Sequence, residues 1–349
     1  MAEARTPLTS VYAPPAAERG WRLEEFYPGA VIRFYSFGRR ALAAGLEVLG
    51  ARGQPVLLPE FVCRDLLSSL DAAGARAVYY PVRRDLRPAT PPDRWPQACA
   101  ALAVDYFGFP QDLEPFRAYA ERTGATLIED NAHGLFSRDE AGAALGLRAD
   151  LGLFSLRKTL LLPNGAALMV PEDGTLTVPE QSAFSDDPTG RSRGKQALRA
   201  VARRFGPRAA LRGLELLRGM RGVLKGSRIP LPAADAERVL PEPALPCREL
   251  EEPLRAGSPY AEVARRRELY SLVDAQARRA GAEPVFERLP ENAAPYGYPF
   301  RARPERLPAV LSALAELGLE PLTWPDLPDA LAASAPEYYR DVRLVHFLW

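Results

Sequence analysis

The chain has 349 residues, 47% of them apolar and 26% charged, with a net charge of +1; this fits a globular protein too long for one ordinary core and predicts a large domain plus a smaller one. So small a net charge gives no pull toward nucleic acid or an anionic membrane, no apolar run approaches the ~20 residues of a membrane span, and residues 1–18 lack the apolar centre of a signal peptide. Three scattered cysteines (Cys63, Cys99, Cys247) and two histidines (His133, His346) suggest neither a disulfide framework nor a metal centre, and a cytoplasmic setting is expected.

Residues 1–29, rich in Pro, Ala and charge, read as an irregular arm. A short strand at 31–35 leads through Ser36-Phe37-Gly38-Arg39-Arg40 into an apolar-periodic helix at 41–49. A small-residue turn entering a helix presents free N–H groups and the positive dipole end, an anion site in principle, although on this feature alone an ordinary helix cap with exposed arginines is the better reading. Strands follow at 56–58, 77–80, 98–106 and 125–128. They alternate with helices at 64–73 and 112–122, stopped by Gly74 and Gly124, and with a polar, Pro-rich loop at 85–97. Two further apolar runs, 151–154 and 166–170, are separated by a Pro163-Asn164-Gly165 turn.

Continuous apolar strands between helices indicate an α/β fold with a mostly parallel central sheet flanked by helices. Sites in such sheets lie beyond the carboxyl ends of the strands. Residues 191–225 are strongly basic with apolar residues at helical spacing, and read as one or two amphipathic helices whose charged face is solvated. Residues 228–259 form a Pro-rich connection. A helix at 259–280, strands at 283–289 and 296–303, and a helix at 306–317 before Gly318 make a smaller α+β C-terminal domain. The apolar end, 342–349, should be buried or at an interface. The predicted domains are therefore 30–227, including the basic helices, and 260–349.

The chemistry centres on lysine, because the chain hardly uses it: only Lys158, Lys195 and Lys225 stand among 45 basic residues. Arginine stays protonated and cannot form an imine, whereas a partly desolvated lysine amine can. Lys158 lies just past the 151–154 strand, where the bland alternative is a solvated charge. Asp130 ends a buried strand, where an unpaired carboxylate would be costly. A pyridinium N–H would satisfy it, and its ionised form would keep that ring protonated; a helix cap or an arginine pair would do so too. His133 lies three residues on and could face the same ring, a substrate, or the core. Together the three fit pyridoxal 5'-phosphate (PLP) held by Lys158.

These positions also carry a resemblance. Gly38-Arg39-Arg40-Ala41-Leu42, Pro59 with Ala73-Gly74-Ala75, Val104-Asp105-Tyr106-Phe107-Gly108-Phe109-Pro110, Ile128-Glu129-Asp130-Asn131-Ala132-His133-Gly134, Phe154-Ser155-Leu156-Arg157-Lys158 and Asn164-Gly165-Ala166-Ala167 are similar to the DegT/StrS-like sugar aminotransferases, PLP enzymes of fold type I. The resemblance implies a homodimer with the active site between subunits. It implies Lys158 as the Schiff-base lysine, Asp130 as the pyridinium partner and His133 beside the ring hydroxyl. Gly38 and Arg39 match the phosphate-binding helix start, and Ser155 a phosphate-contacting hydroxyl. Arg39 departs from the family's Thr or Ser, and Cys63 falls where an aromatic usually stacks on the ring, with Phe61 nearby. The Gly-x-Asn-x-Arg segment that reaches across the dimer in relatives has no counterpart, which bears on the substrate more than on the cofactor.

The expected activity is transfer of an amino group from an amino-acid donor, glutamate by resemblance, to a keto acceptor, a keto-sugar that could be nucleotide-linked. Lyase or desulfurase chemistry on the same fold is the alternative that Cys63 motivates. A non-catalytic regulatory relative is the one motivated by Arg39 and the basic helices. No metal, nucleic acid or membrane partner is expected.

Overall fold

In the first half of the chain the apolar runs become strands that pack both faces against helices. The computed structural model describes residues 19–160, 162–180, 183–186, 234–254 and 258–347. Among these, β1 (Ala30–Tyr35), β2 (Pro55–Pro59), β3 (Arg76–Tyr80), β4 (Ala100–Val104), β5 (Thr126–Asp130), β6 (Leu151–Phe154) and β7 (Ala166–Pro171) form a seven-stranded sheet in the order β1-β7-β6-β5-β4-β2-β3. The pairs from β3 through β6 are parallel, and β7 runs antiparallel to β6 and β1. Every residue of β4 and β6 is buried, as unbroken apolar strands in a two-sided sheet require. Helices α1 (Gly38–Val48), α2 (Leu67–Ala73) and α3 (Glu114–Thr123) connect and flank these strands, and Gly74 and Gly124 end α2 and α3 in the left-handed conformation. The fold is therefore the mostly parallel α/β architecture expected, with one strand shorter than its apolar pattern. The run at 98–106 stops pairing at Val104, because Phe107 (φ 59°) and Gly108 (φ 86°) turn the chain out of the sheet.

The second half builds a smaller antiparallel sheet, β10-β11-β9-β8, from β8 (Glu283–Pro284), β9 (Gly297–Arg301), β10 (Leu322–Thr323) and β11 (Arg343–His346). Beside it are α4 (Pro259–Ala280), α5 (Leu307–Glu316), and the short α6 (Asp329–Ala332) and α7 (Glu337–Arg340). The strand expected over 283–289 pairs for two residues only. Pro284 lacks an N–H and lies on the sheet edge, where a proline is tolerated. The apolar C-terminal stretch becomes β11, with Val342, Leu344, Val345 and Phe347 buried. Leu57, Leu102 and Ile128 of the large sheet belong to one continuous apolar cluster with Leu269, Tyr298, Phe300 and Val345.

From Arg19 onward the N-terminal segment is more ordered than its composition suggests. Trp21 exchanges backbone hydrogen bonds with Leu254, and Trp21, Leu23 and Tyr27 pack with Phe154 and Leu156 beside the lysine loop. The basic stretch 191–225 lies outside the described residues. Among those described, no helix is long and apolar enough to cross a membrane.

Candidate active site

Beyond the carboxyl ends of β4, β5 and β6 lies a cavity of about 280 Å³, and its wall includes all seven residues singled out from the sequence: Gly38, Arg39, Cys63, Asp130, His133, Ser155 and Lys158. The backbone explains their convergence. In β5, Asp130 pairs with Val104 on one side and Leu153 on the other, so its carboxylate emerges mid-sheet. Just after it, the Asn131 side chain donates to the carbonyls of Gly134 and Leu145, which fixes the turn that aims His133 inward. Past β6 the chain makes one 3-10 turn, in which the Lys158 N–H bonds the Ser155 carbonyl at 3.0 Å. That turn is tied back by Arg157 N–H to the Gly165 carbonyl and by Gly165 N–H to the Ser36 carbonyl. Gly165 (φ +144°) takes a conformation that a side chain would disfavour. Ser36 opens the loop from β1 into α1, so the same ties bring the start of that helix beside Ser155. A Cβ built on Gly38 would meet only the Ser155 Cβ, at 3.9 Å.

Burial governs the charges. It pushes Lys158 below the ordinary lysine value, with Arg157 adding to the effect and Cys63, Asp130 and Asp65 opposing it. Burial pushes Asp130 upward, opposed by the Ala132 N–H that donates to Oδ1 at 2.9 Å and by Lys158. His133 is driven well below its usual range by burial, then by Lys158 and Arg266. Its Nδ1 accepts the Phe107 N–H at 3.3 Å and its Nε2 lies 3.0 Å from Lys158 Nζ. A neutral imidazole with Nδ1 accepting carries its proton on Nε2. That proton can bond Lys158 only when the amine is neutral, which is the state burial favours. The geometry of the pair thus suits an uncharged amine, the form that burial favours.

Two residues that sequence reasoning missed cover this pair from the small sheet. Tyr296 stacks on His133 at 4.4 Å with 10° between planes, and Trp324 lies edge-on to His133, Phe61 and Phe107 at 5.6, 5.3 and 4.7 Å. Cys63 stands in the cavity wall where the resemblance expects a stacking aromatic, and Phe61 is buried beside it. Burial, with Asp65 next, raises the Cys63 thiol well above its ordinary value, which favours the thiol over the thiolate. Arg39 lies 3.6 Å from Asp65, and Arg157 sits over the Phe37 ring at 5.3 Å.

Residues 36–177 match the model of the DegT/DnrJ/EryC1/StrS aminotransferase family. Over that stretch, about two fifths of its length, the chain is similar to this family. Solved structures agree in fold. An aminotransferase, TlmJ from Streptoalloteichus hindustanus, is 19% identical with a TM-score of 0.55, covering 98% of this chain and 86% of its own. The 3-amino-5-hydroxybenzoic acid synthase is 19% identical with a TM-score of 0.59, over 93% and 82%. A putative sugar aminotransferase, Spr1654 from Streptococcus pneumoniae in its PLP form, is 14% identical with a TM-score of 0.59, over 99% and 87%.

The family's enzymes are PLP-dependent aminotransferases, and the cavity suits that cofactor. Its volume is that of a small organic ring with substituents. The buried Asp130 carboxylate, with one oxygen on Ala132, can take a ring N–H on the other. The first N–H groups of α1, at Gly38 and Arg39, have no acceptor within the helix, and with the Ser155 hydroxyl they face a cradle that glycine leaves open.

Proposed function

We propose that the chain is a PLP-dependent aminotransferase in which Lys158, Asp130 and His133 do the chemistry, moving an amino group from glutamate to a keto-sugar acceptor. The observation that carries this reading is the amine of Lys158, buried toward neutrality and 3.0 Å from His133 Nε2, in the cavity that also holds Asp130. The cofactor, when bound, supplies an aldehyde and an electron-accepting ring. Lys158 would hold it through its amine and, once released by the donor, move the proton off the donor's Cα as general base. Asp130 would face the ring nitrogen and keep positive charge there. His133 would orient the lysine amine. Gly38, Arg39 and Ser155 would hold the phosphate, and Cys63 would contact the ring.

The family match supports the transferase over the alternatives, and the burial that raises the Cys63 thiol disfavours the thiolate a desulfurase would use. A nucleotide-linked sugar, a homodimer and a cytoplasmic setting are extensions that rest on resemblance. Purified protein should be yellow, borohydride should fix the label to Lys158, and glutamate should convert the spectrum to that of pyridoxamine. A yellow, unchanged Lys158→Ala protein would refute the assignment; ammonia or sulfide release without that conversion would favour the lyase.

A further inference from the structure

We propose that Arg266, on α4, is a positioning residue that holds the Lys158 main chain and the Tyr296 cover in register, so that the small sheet sets where the lysine amine stands. The inference rests on the reading of Lys158 given above.

Arg266 is wholly buried, where an unpaired guanidinium would be prohibitively costly. It is paired in three directions. Nε meets Glu262 Oε1 at 2.6 Å, one terminal nitrogen donates to the Lys158 carbonyl at 3.0 Å, and the other to the Pro295 carbonyl at 3.3 Å. Pro295 precedes Tyr296, the ring stacked on His133. Glu262 is shared with Arg265, whose guanidinium also donates to the Phe347 carbonyl at 2.8 Å. Phe347 in turn donates its N–H to the Tyr296 carbonyl. One carboxylate and two guanidiniums therefore join the lysine turn, the aromatic cover and the C-terminal strand. A planar fork can serve three acceptors at once, which an ammonium on a flexible stem cannot do with the same geometry. The net positive charge left in this cluster also faces His133 and favours its neutral form.

The test compares wild type with Arg266→Gln and Arg266→Lys. In the cofactor-free proteins, amide hydrogen exchange over residues 156–160 and 296–298 should quicken about tenfold in Arg266→Gln, on the scale of one lost hydrogen bond. Residues 55–59 of β2 should not change, and Arg266→Lys should recover part of the protection. In the loaded proteins, visible circular dichroism per bound cofactor should fall in Arg266→Gln and partly return in Arg266→Lys. Unchanged exchange at 156–160, or a uniform rise across the chain, would overturn the proposal. If Arg266→Gln does not fold, Arg266→Lys against wild type decides by the same local readout. A wild type that takes no cofactor would sink the functional reading while leaving the exchange result to judge this one.

Discussion

The two sheets contribute to the cavity in different ways. From the large sheet come groups that can do chemistry: Lys158, Asp130, His133 and Ser155, each at a strand's carboxyl end or in the turn after it. From the small-sheet side come Tyr296 and Trp324 as cover and, from the neighbouring helix, Arg266, which bonds the Lys158 carbonyl. Reactivity and alignment are thus carried by separate parts of the chain. The comparison breaks if changes on the two sides have effects of the same kind.

The largest effect should come from the large sheet. In the roles proposed above, Lys158→Ala removes the attachment point and the general base together, and turnover should fall at least ~10³-fold, measured with glutamate and a keto acceptor. Retained turnover would show that another amine serves. Asp130→Asn keeps the volume but gives up the charge proposed to face the ring, and kcat should fall ~10²–10³-fold with little change in acceptor KM. A change confined to KM would assign Asp130 to substrate binding.

On the small-sheet side, Trp324→Ala opens the cover over His133 and Phe107 without touching the amine. Its effect should be of the order of 1–3 kcal/mol in transition-state binding, about 10- to 100-fold in kcat/KM. It should fall mainly on KM for the acceptor, leaving glutamate's conversion of the bound cofactor near the wild-type rate. An equal loss in both half-reactions would mean that the cover also places the lysine.

The same asymmetry explains what could be read from the sequence. Strands β4, β6 and β7 were legible because burial on both faces writes an unbroken apolar run, and Lys158 because so few lysines compete with it. The cover was not legible. Tyr296 sits at the mouth of β9 after a Pro- and Ala-rich loop, and Trp324 follows a strand of two residues, too short for any periodicity. Arg266 was hidden by its neighbours, since Arg265-Arg266-Arg267 resembles a solvated basic face. Successive helix positions point about 100° apart, and here each of the three reaches a different set of carbonyls: Phe347, then Lys158 and Pro295, then Pro290 and Ala293. Glu262, three and four residues before the first two, was the available sign that they pair inward.

The smallest effect concerns protons rather than turnover, and it isolates the large sheet's half of the site. In the cofactor-free protein the folded state depresses Lys158, by burial first, below the ordinary 10.5. Between that depressed value and 10.5 the unfolded chain binds more protons at this position than the folded one, so stability rises with pH across the window. The slope for one group cannot exceed 2.303RT, about 1.4 kcal/mol per pH unit. Lys158→Met removes the amine while keeping an unbranched apolar stem, and the difference between the two stability curves cancels the tyrosines and cysteines that titrate nearby. Denaturant midpoints measured from neutral to alkaline pH should show wild type gaining on Lys158→Met as pH rises, then running parallel above 10.5. A wild type that instead loses ground over that range would mean the amine is charged in the folded protein, and the neutral His133–Lys158 hydrogen bond could not be the resting state.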